Sequence, residues 1–471
     1  MIENFKNVRH KEYAEYLPIW EQIDDVLAGE RGVKAKGSLY LPKPNPNDLS
    51  EANDIRYKQY AKRALFFNAT GRTVAALVGA VFRKKPFIEL PDSIAYAYDN
   101  VDGNGVGIAQ QSQSVVKNVL AKGRTGLLVD FPAVDGDITV ERARNENLQP
   151  YCIQYDAKNI VNWITERRGA VTVLKTIVLM EEIEQFLDVL QTETIQQYRV
   201  LFIDDDGYYS QYVYQVDDQL DVMNAQVIEP RDANGNRLTF IPFVFVGSEN
   251  NDYTIDESPV YDLSNVNLSH YRNSADNEES SFIVGQPSLF LYVSNGAAVK
   301  EQNPDGIKVG SRAANMLGAD DRAELLQADA NNLPRENMRD KETMMVMLGA
   351  RLVTPTQQET AEAARIKRSG DHSILGIIVK NVDSAYKQVI EWMQLFQSGV
   401  YEECVFQVNN DFFFEKMTPQ DRQAWLMDIQ QGVVSVNDYR RALREGGLLA
   451  DERTDDMIED ELNDQPPAGV I

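Results

Sequence analysis

The chain has 471 residues, with 47 Lys and Arg against 72 Asp and Glu and a formal charge of -25. That balance argues against a protein that clamps a phosphate backbone through a broad cationic face. It does not exclude one that lets DNA slide past, because a like-charged wall repels phosphates instead of gripping them. The length predicts about three units, some assembled from non-contiguous segments. Cys152 and Cys404 are the only cysteines, too few for a disulfide framework and without metal-ligand spacing, so a reducing compartment is expected. The first residues lack a charged-then-apolar leader pattern, and no run approaches the roughly 18 apolar residues that span a bilayer. The expectation is a soluble, unprocessed chain made in the cytoplasm.

In chain order, Tyr13, Tyr16, Leu17, Trp20, Ile23 and Leu27 recur at spacings of three and four, predicting an amphipathic helix over 11–30 that stops near Gly29. Leu41-Pro42-Lys43-Pro44-Asn45-Pro46 reads as a loop. A long helical pattern then runs from Ser50 to Val81 and breaks at Arg83-Lys84-Lys85-Pro86. Residues 110–122 read as a helix leading into the short buried strand Gly126-Leu127-Leu128-Val129-Asp130-Phe131.

The middle third is rich in β-branched and aromatic residues over 171–180, 194–203, 208–216 and 238–246, with turn signals at Asp204-Asp205-Asp206-Gly207 and Asp232-Ala233-Asn234-Gly235. These predict antiparallel strands joined by hairpins. Helical spacing returns over 258–283, with Pro259 suited to a first turn and Val260, Leu263, Val266, Leu268 and Tyr271 as apolar members. Residues 288–328 alternate short strand-like pieces with Gly and Asp turns, a small inserted subdomain flanked by two helices. The second ends at Leu348-Gly349-Ala350-Arg351-Leu352. After the polar break Thr354-Pro355-Thr356-Gln357-Gln358, a much longer helix opens and carries the stripe Ile374, Ile378, Val382, Ala385, Val389, Trp392 and Phe396. At 1.5 Å per residue it would be about 40 Å long. A strand over 405–414, a helix start at Thr418-Pro419-Gln420-Asp421 and an acidic, frayed tail over 451–471 complete the chain.

Catalytic signatures are missing. There is no Gly-x-x-x-x-Gly-Lys-Ser/Thr loop, no His-Glu-x-x-His and no Gly-x-Ser-x-Gly. Gly103-Asn104-Gly105-Val106-Gly107 resembles a dinucleotide loop only superficially, since it follows an acidic stretch and not a buried strand; a connection explains it better. His10, His270 and His372 are far apart in sequence and read as surface or helix-face residues. Asp204, Asp205 and Asp206 could hold a hard cation, but a hairpin turn accounts for them. Trp20 and Trp392 read as packing.

Taken in order, these segments resemble the portal proteins of tailed bacteriophages, the head-to-tail connectors. The resemblance is carried by Tyr40-Leu41-Pro42, by 71–86, by Asp262-Leu263-Ser264-Asn265-Val266-Asn267-Leu268, by Leu348-Gly349-Ala350-Arg351-Leu352 with Glu359-Thr360-Ala361-Glu362-Ala363, and by Gln431-Gly432-Val433-Val434-Ser435-Val436. It implies an α+β fold. The N-terminal part of an α/β wing would be 1–257, stem helix 1 258–287, a small α/β clip 288–332, stem helix 2 333–352 and a tunnel loop 353–360. A long helix with the C-terminal wing part would be 361–415, and a short helical crown with the acidic tail 416–471.

The resemblance further implies a ring of about twelve copies at one capsid vertex, through which double-stranded DNA is packaged and ejected. It would not be an enzyme and would need no cofactor, metal or membrane. Its partners would be the terminase large subunit, head–tail adaptor and tail proteins, and major capsid and scaffold proteins. Its place would be the virion. Thr354, Gln357 and Gln358 are the tunnel-loop candidates for weak contact with a moving duplex, and Lys308 and Arg312 the clip candidates, with a surface ion pair as the rival reading of those two. Two alternatives remain: another virion structural protein without a channel, and a metal-dependent hydrolase using clustered acids such as Asp204 and Asp205.

Overall fold

The computed structural model describes residues 3–132, 142, 145–186, 188–285, 288–302, 322–326, 331–352, 373–410, 412, 419–445, 448–449 and 453–463. Two compact units are present: residues 1–358 with 371–409, and residues 359–370 with 410–471. The fold is α+β. Among the described residues, no helix is long and apolar enough to cross a membrane.

In the first unit, α1 (Lys11–Leu27) buries Tyr13, Trp20, Ile23 and Val26. His10 caps its start, accepting the Glu12 N–H on Nδ1 at 3.3 Å while stacking on Trp163. Gly29, at φ +75°, turns the chain into α2 (Glu30–Ala35). The single helix expected over 50–81 is instead two, α3 (Glu51–Arg63) and α4 (Ala69–Val81). The break is tertiary in origin. Leu65 N–H donates to Ser274 Oγ at 3.0 Å, Phe66 is buried edge-on to Tyr271, and Asn68 restarts the helix by accepting the Gly71 N–H at 2.9 Å.

A short ladder pairs β1 (Phe87–Glu89) with β12 (Val405–Gln407). Helix α5 (Ile108–Lys122) ends at Gly123 in the left-handed region, where a Cβ would lie 2.4 Å from the Asp256 carbonyl oxygen, so only glycine fits. It feeds β2 (Arg124–Asp130), buried along its whole length between β3 (Tyr151–Asp156) and β9 (Phe243–Gly247). A second, five-stranded antiparallel sheet runs in simple order through β4 (Ile160–Arg168), β5 (Val171–Phe186), β6 (Thr192–Ile203), β7 (Tyr209–Val216) and β8 (Val222–Ile228). The sequence did not predict β3, β4 or β8. The strand expected over 238–246 begins only at Phe243, because Pro242 has no N–H for a ladder.

Helix α6 (Tyr261–Val284) is followed by the antiparallel pair β10 (Ser288–Tyr292) and β11 (Arg322–Leu326), with α7 (Gly296–Gln302) between them, and then by α8 (Leu333–Arg351). Helix α9 (Ile374–Gln397) is the core of the unit: its stripe widens to include Leu375, Val379, Tyr386, Ile390 and Met393, all buried. Its 24 residues span about 36 Å. Among the described residues of the strand expected over 405–414, the ladder runs only to Gln407, and the next N–H, on Val408, turns to the Asp383 carboxylate at 2.8 Å.

The second unit contributes α10 (Pro419–Gln430), α11 (Val436–Glu445) and α12 (Asp455–Asn463). Ser435 and Asp438 form a reciprocal cap at the start of α11, each accepting the other's N–H at 3.1 Å. Arg440 reaches Glu459 at 3.0 Å to tie α11 to α12.

Candidate functional site

The segment that leaves the body as α6 and returns as α8 is the feature most unlike a plain α+β core. Helix α6 is rooted along its first half. Asn267 is fully buried; its Oδ1 accepts both the Thr70 N–H and the Thr70 hydroxyl at 3.0 Å, and its Nδ2 donates to the Phe67 carbonyl at 2.8 Å. A buried amide with three partners fixes the helix in depth and rotation, because leaving any of them unmatched costs about 1–3 kcal/mol. Further along, Arg272 donates to the Tyr40 carbonyl at 2.9 Å and Tyr60 donates to Asp276 at 2.7 Å. Arg63 pairs with Glu279.

Helix α8 lies antiparallel to α6 and is held differently. Lys341 donates to Asn273 and to the Ser269 carbonyl, and Glu342 meets His270 Nε2 at 3.4 Å. His270 is only 3% exposed. Burial pulls its imidazole below the usual range, with Glu342 opposing the shift. Two residues from the end of α8, Gly349 lets the helix touch α4: a Cβ there would stand 3.2 Å from the Thr73 methyl. Met345 is the buried member of α8. Met344, Val346 and Met347 are exposed, as are Phe282 and Ile283 at the end of α6 and Phe290 and Tyr292 on the β10–β11 pair.

The two ends of the next segment meet. Leu375 N–H donates to the Leu352 carbonyl at 3.2 Å, and Ser373 caps α9 by accepting the Gly376 N–H at 3.0 Å. The chain therefore departs from the end of α8 and re-enters at the start of α9 at one point on the body.

The five residues singled out from sequence, Lys308, Arg312, Thr354, Gln357 and Gln358, lie outside the described residues, as does His372. The other sequence candidates resolve as structure. Asp204 sits in the β6–β7 turn, accepting the Tyr208 N–H at 2.8 Å and the Arg237 guanidinium at 2.7 Å, contacts that hold its carboxyl below the ordinary range. In the 103–107 loop, Asp102 Oδ1 takes the N–H groups of Asn104 and Val106 at 2.8 and 3.1 Å, and Asn100 takes that of Gly105 at 2.8 Å. Donors that a phosphate would need are thus already bound to side-chain oxygens. Trp20 is buried and donates to the Lys122 carbonyl at 3.0 Å. Among the described residues, no three His, Cys, Asp or Glu side chains group as a metal site.

Sequence reasoning overlooked the buried polar bridge between the two sheets. Arg199 Nη1 reaches Asp130 at 2.6 Å and Gln211 at 3.0 Å, its Nε reaches Glu181 at 2.9 Å, and Tyr155 closes the set on Glu181. The only signal was an Asp ending one apolar strand and an Arg inside another. One guanidinium is shared by two carboxylates, and neutral donors complete them, Gln211 on Asp130 and Gln197 on Glu181, so it reads as a structural tie.

Residues 259–397 match the family model described as "Domain of unknown function (DUF4055)". The match takes in α6, β10, α7, β11 and α8, the span that the geometry sets apart, together with the core helix α9. No curated protein matches the chain. Among solved structures, a chain from "Neck of empty GTA particle computed with C6 symmetry" is similar at 13% identity, with 79% of this chain and 89% of that chain covered and a TM-score of 0.41.

Proposed function

We propose that this chain is the subunit of a phage portal: a ring at one capsid vertex through which double-stranded DNA is packaged and ejected, acting as a structural conduit and not as an enzyme. The observation that carries the reading is the order of elements. An α/β body is left by a helix, α6, that is anchored through Asn267. A two-stranded pair follows, a second helix returns alongside, and a buried helix, α9, re-enters from the point where Leu352 and Leu375 are bonded.

In this reading 1–257 and 361–415 are wing, α6 and α8 the stem, 288–332 the clip, 353–360 the tunnel loop and 416–471 the crown. The exposed Met344, Val346 and Met347 on α8 support it, because neighbouring copies in a ring would cover them. The net charge of -25 supports passage without grip. Thr354, Gln357 and Gln358 would touch the duplex, and Lys308 and Arg312 its backbone or a neighbouring copy. The terminase large subunit would dock during packaging and adaptor and tail proteins afterwards, with capsid and scaffold proteins around the ring. The location would be the virion, and no cofactor is assigned.

Negative-stain microscopy of the purified full chain tests the reading. The expected result is a closed ring with an axial hole roughly 20–40 Å wide, sized for duplex DNA. Rings without a hole would favour another virion component, and a strict monomer at micromolar concentration would overturn the proposal.

A further inference from the structure

A cleft of about 1450 Å³ opens in the first unit beside the tie that joins Tyr155 and Arg199 to Glu181. Helix α5 lines it with Gln110, Ser114 and Asn118, four residues apart and so on one face. Two strand edges border it as well. Strand β3 is the outer member of its sheet. On that edge the Cys152 N–H donates to the Val101 carbonyl, and the Cys152 carbonyl accepts from Gln111, both at 2.7 Å. Bonding direction alternates along a strand, so the N–H and C=O of Gln154 face the same way, and among the described residues they have no partner. Gln154 Nε2 is likewise without one. The second edge belongs to β5, which β4 covers only to Leu179. Asn159 donates to the Met180 carbonyl at 2.9 Å on that side, and the same alternation turns the N–H and C=O of Glu182 and Glu184 onto an edge that no described strand covers.

The lining selects the occupant. Small-molecule pockets hold about 300–1,000 Å³ and are mostly apolar, whereas this cleft is larger and walled by amides. Open backbone edges are satisfied by an extended polypeptide that adds a strand, and side-chain amides can bind the rest of its peptide groups. Charge narrows the choice further. Among the described residues, Arg199 is the only cation that lines the cleft, and it is bound to Asp130 and Glu181. Asp156 is paired with Lys122, while Asp102 and Glu182 have no ion-pair partner among the described residues. The site therefore favours a cationic strand, and a chain of net charge -25 is a poor source of one.

We propose that this cleft binds an extended segment of another, more basic protein, which adds a strand along the β5 edge that opens at Glu182. Its lysine or arginine side chains meet Glu182 and Asp102, and the amides of Gln110, Asn118 and Gln154 take up its remaining peptide groups. The inference does not depend on the ring reading.

Calorimetric titration of the full chain at physiological salt, with a decapeptide of alternating Lys and Thr as the probe, tests it. Saturable binding is expected. Methylating the probe's backbone nitrogens throughout keeps its charge but removes the ladder donors, and should weaken binding about tenfold or more. Glu182→Lys, and separately Gln110→Ala with Asn118→Ala, should weaken it about threefold or more while circular dichroism stays as in wild type. Absence of binding, equal binding of the methylated probe or of a Glu-Thr decapeptide, or unchanged binding by both variants overturns the proposal. So does saturable binding of an uncharged oligosaccharide, maltoheptaose, that excludes the peptide.

Discussion

Among the described helices, α8 and α9 are consecutive and are stabilised in opposite ways. The later one lies inside the body, with Leu375, Ile378, Val379, Val382, Tyr386, Val389, Ile390 and Met393 among its buried residues. The earlier one is 19 residues long and, among its described members, buries Met345. It is tethered by Lys341, Glu342 and the close approach at Gly349. Apolar burial of about 25 cal/mol per Å² holds the first within a single chain, whereas polar tethers orient the second and leave its apolar residues for another surface. Substitutions should therefore separate the two helices: in α9 they act on folding, and on the outer face of α8 they act on association.

The largest effect is expected from Ile390→Ala in α9. Removing a wholly buried side chain should cost about 3 kcal/mol in chemical denaturation of the isolated chain, and a loss under about 1 kcal/mol would mean that α9 is not the core.

Next is Asp383→Asn. Burial lifts the Asp383 carboxyl to about 7, against the lowering exerted by the Val408 N–H. The folded protein therefore keeps a proton that the unfolded chain releases. The contribution of this group to stability is full below about pH 4, declines as pH rises toward 7 and is level above it. Asparagine stays neutral and can still accept from Val408. The variant should gain about 2 kcal/mol over wild type above about pH 8 and show little difference near pH 4; equal stability at both would remove the assignment.

At the α6–α8 seam the sign is reversed. His270 titrates below its ordinary range because it is buried, so its contribution is complete above about pH 6.5 and is lost as pH falls below that. Thermal unfolding of wild type should lose stability as pH falls below about 6.5 in a component that His270→Gln lacks. Parallel pH profiles for the two proteins would show that the seam does not depend on this residue.

The smallest effect on folding is expected from Val346→Ser on the exposed side of α8. Chain stability should change by less than about 0.5 kcal/mol, while ring formation measured by sedimentation falls. A variant that assembles normally would show that this face is not covered by a second copy.

Legibility in the sequence followed the source of each element's stability. The α9 stripe was readable because its apolar residues recur at strict helical spacing, and β5, β6 and β7 because β-branched runs are separated by turn residues. The break between α3 and α4 was not, since no proline lies between Ser50 and Val81 and the interruption comes from Ser274 and Tyr271 about two hundred positions away. Strands β4, buried only over its first half, and β8, exposed over most of its length, were missed because their polar-interrupted patterns become strands by pairing with neighbours. In the candidate site, the motifs around Asn267 and Gly349 were visible as wording. Their physical sense needed the partners Thr70 and Thr73, which no local pattern reveals.

The bond between Leu352 and Leu375 has an engineering consequence. With both exits pinned side by side, the body already meets the entropic penalty of joining them, and that penalty grows only slowly with the length of the bridge. A change in the length of that bridge therefore adds little to the cost of keeping the two helices in register, which makes the junction tolerant of insertions.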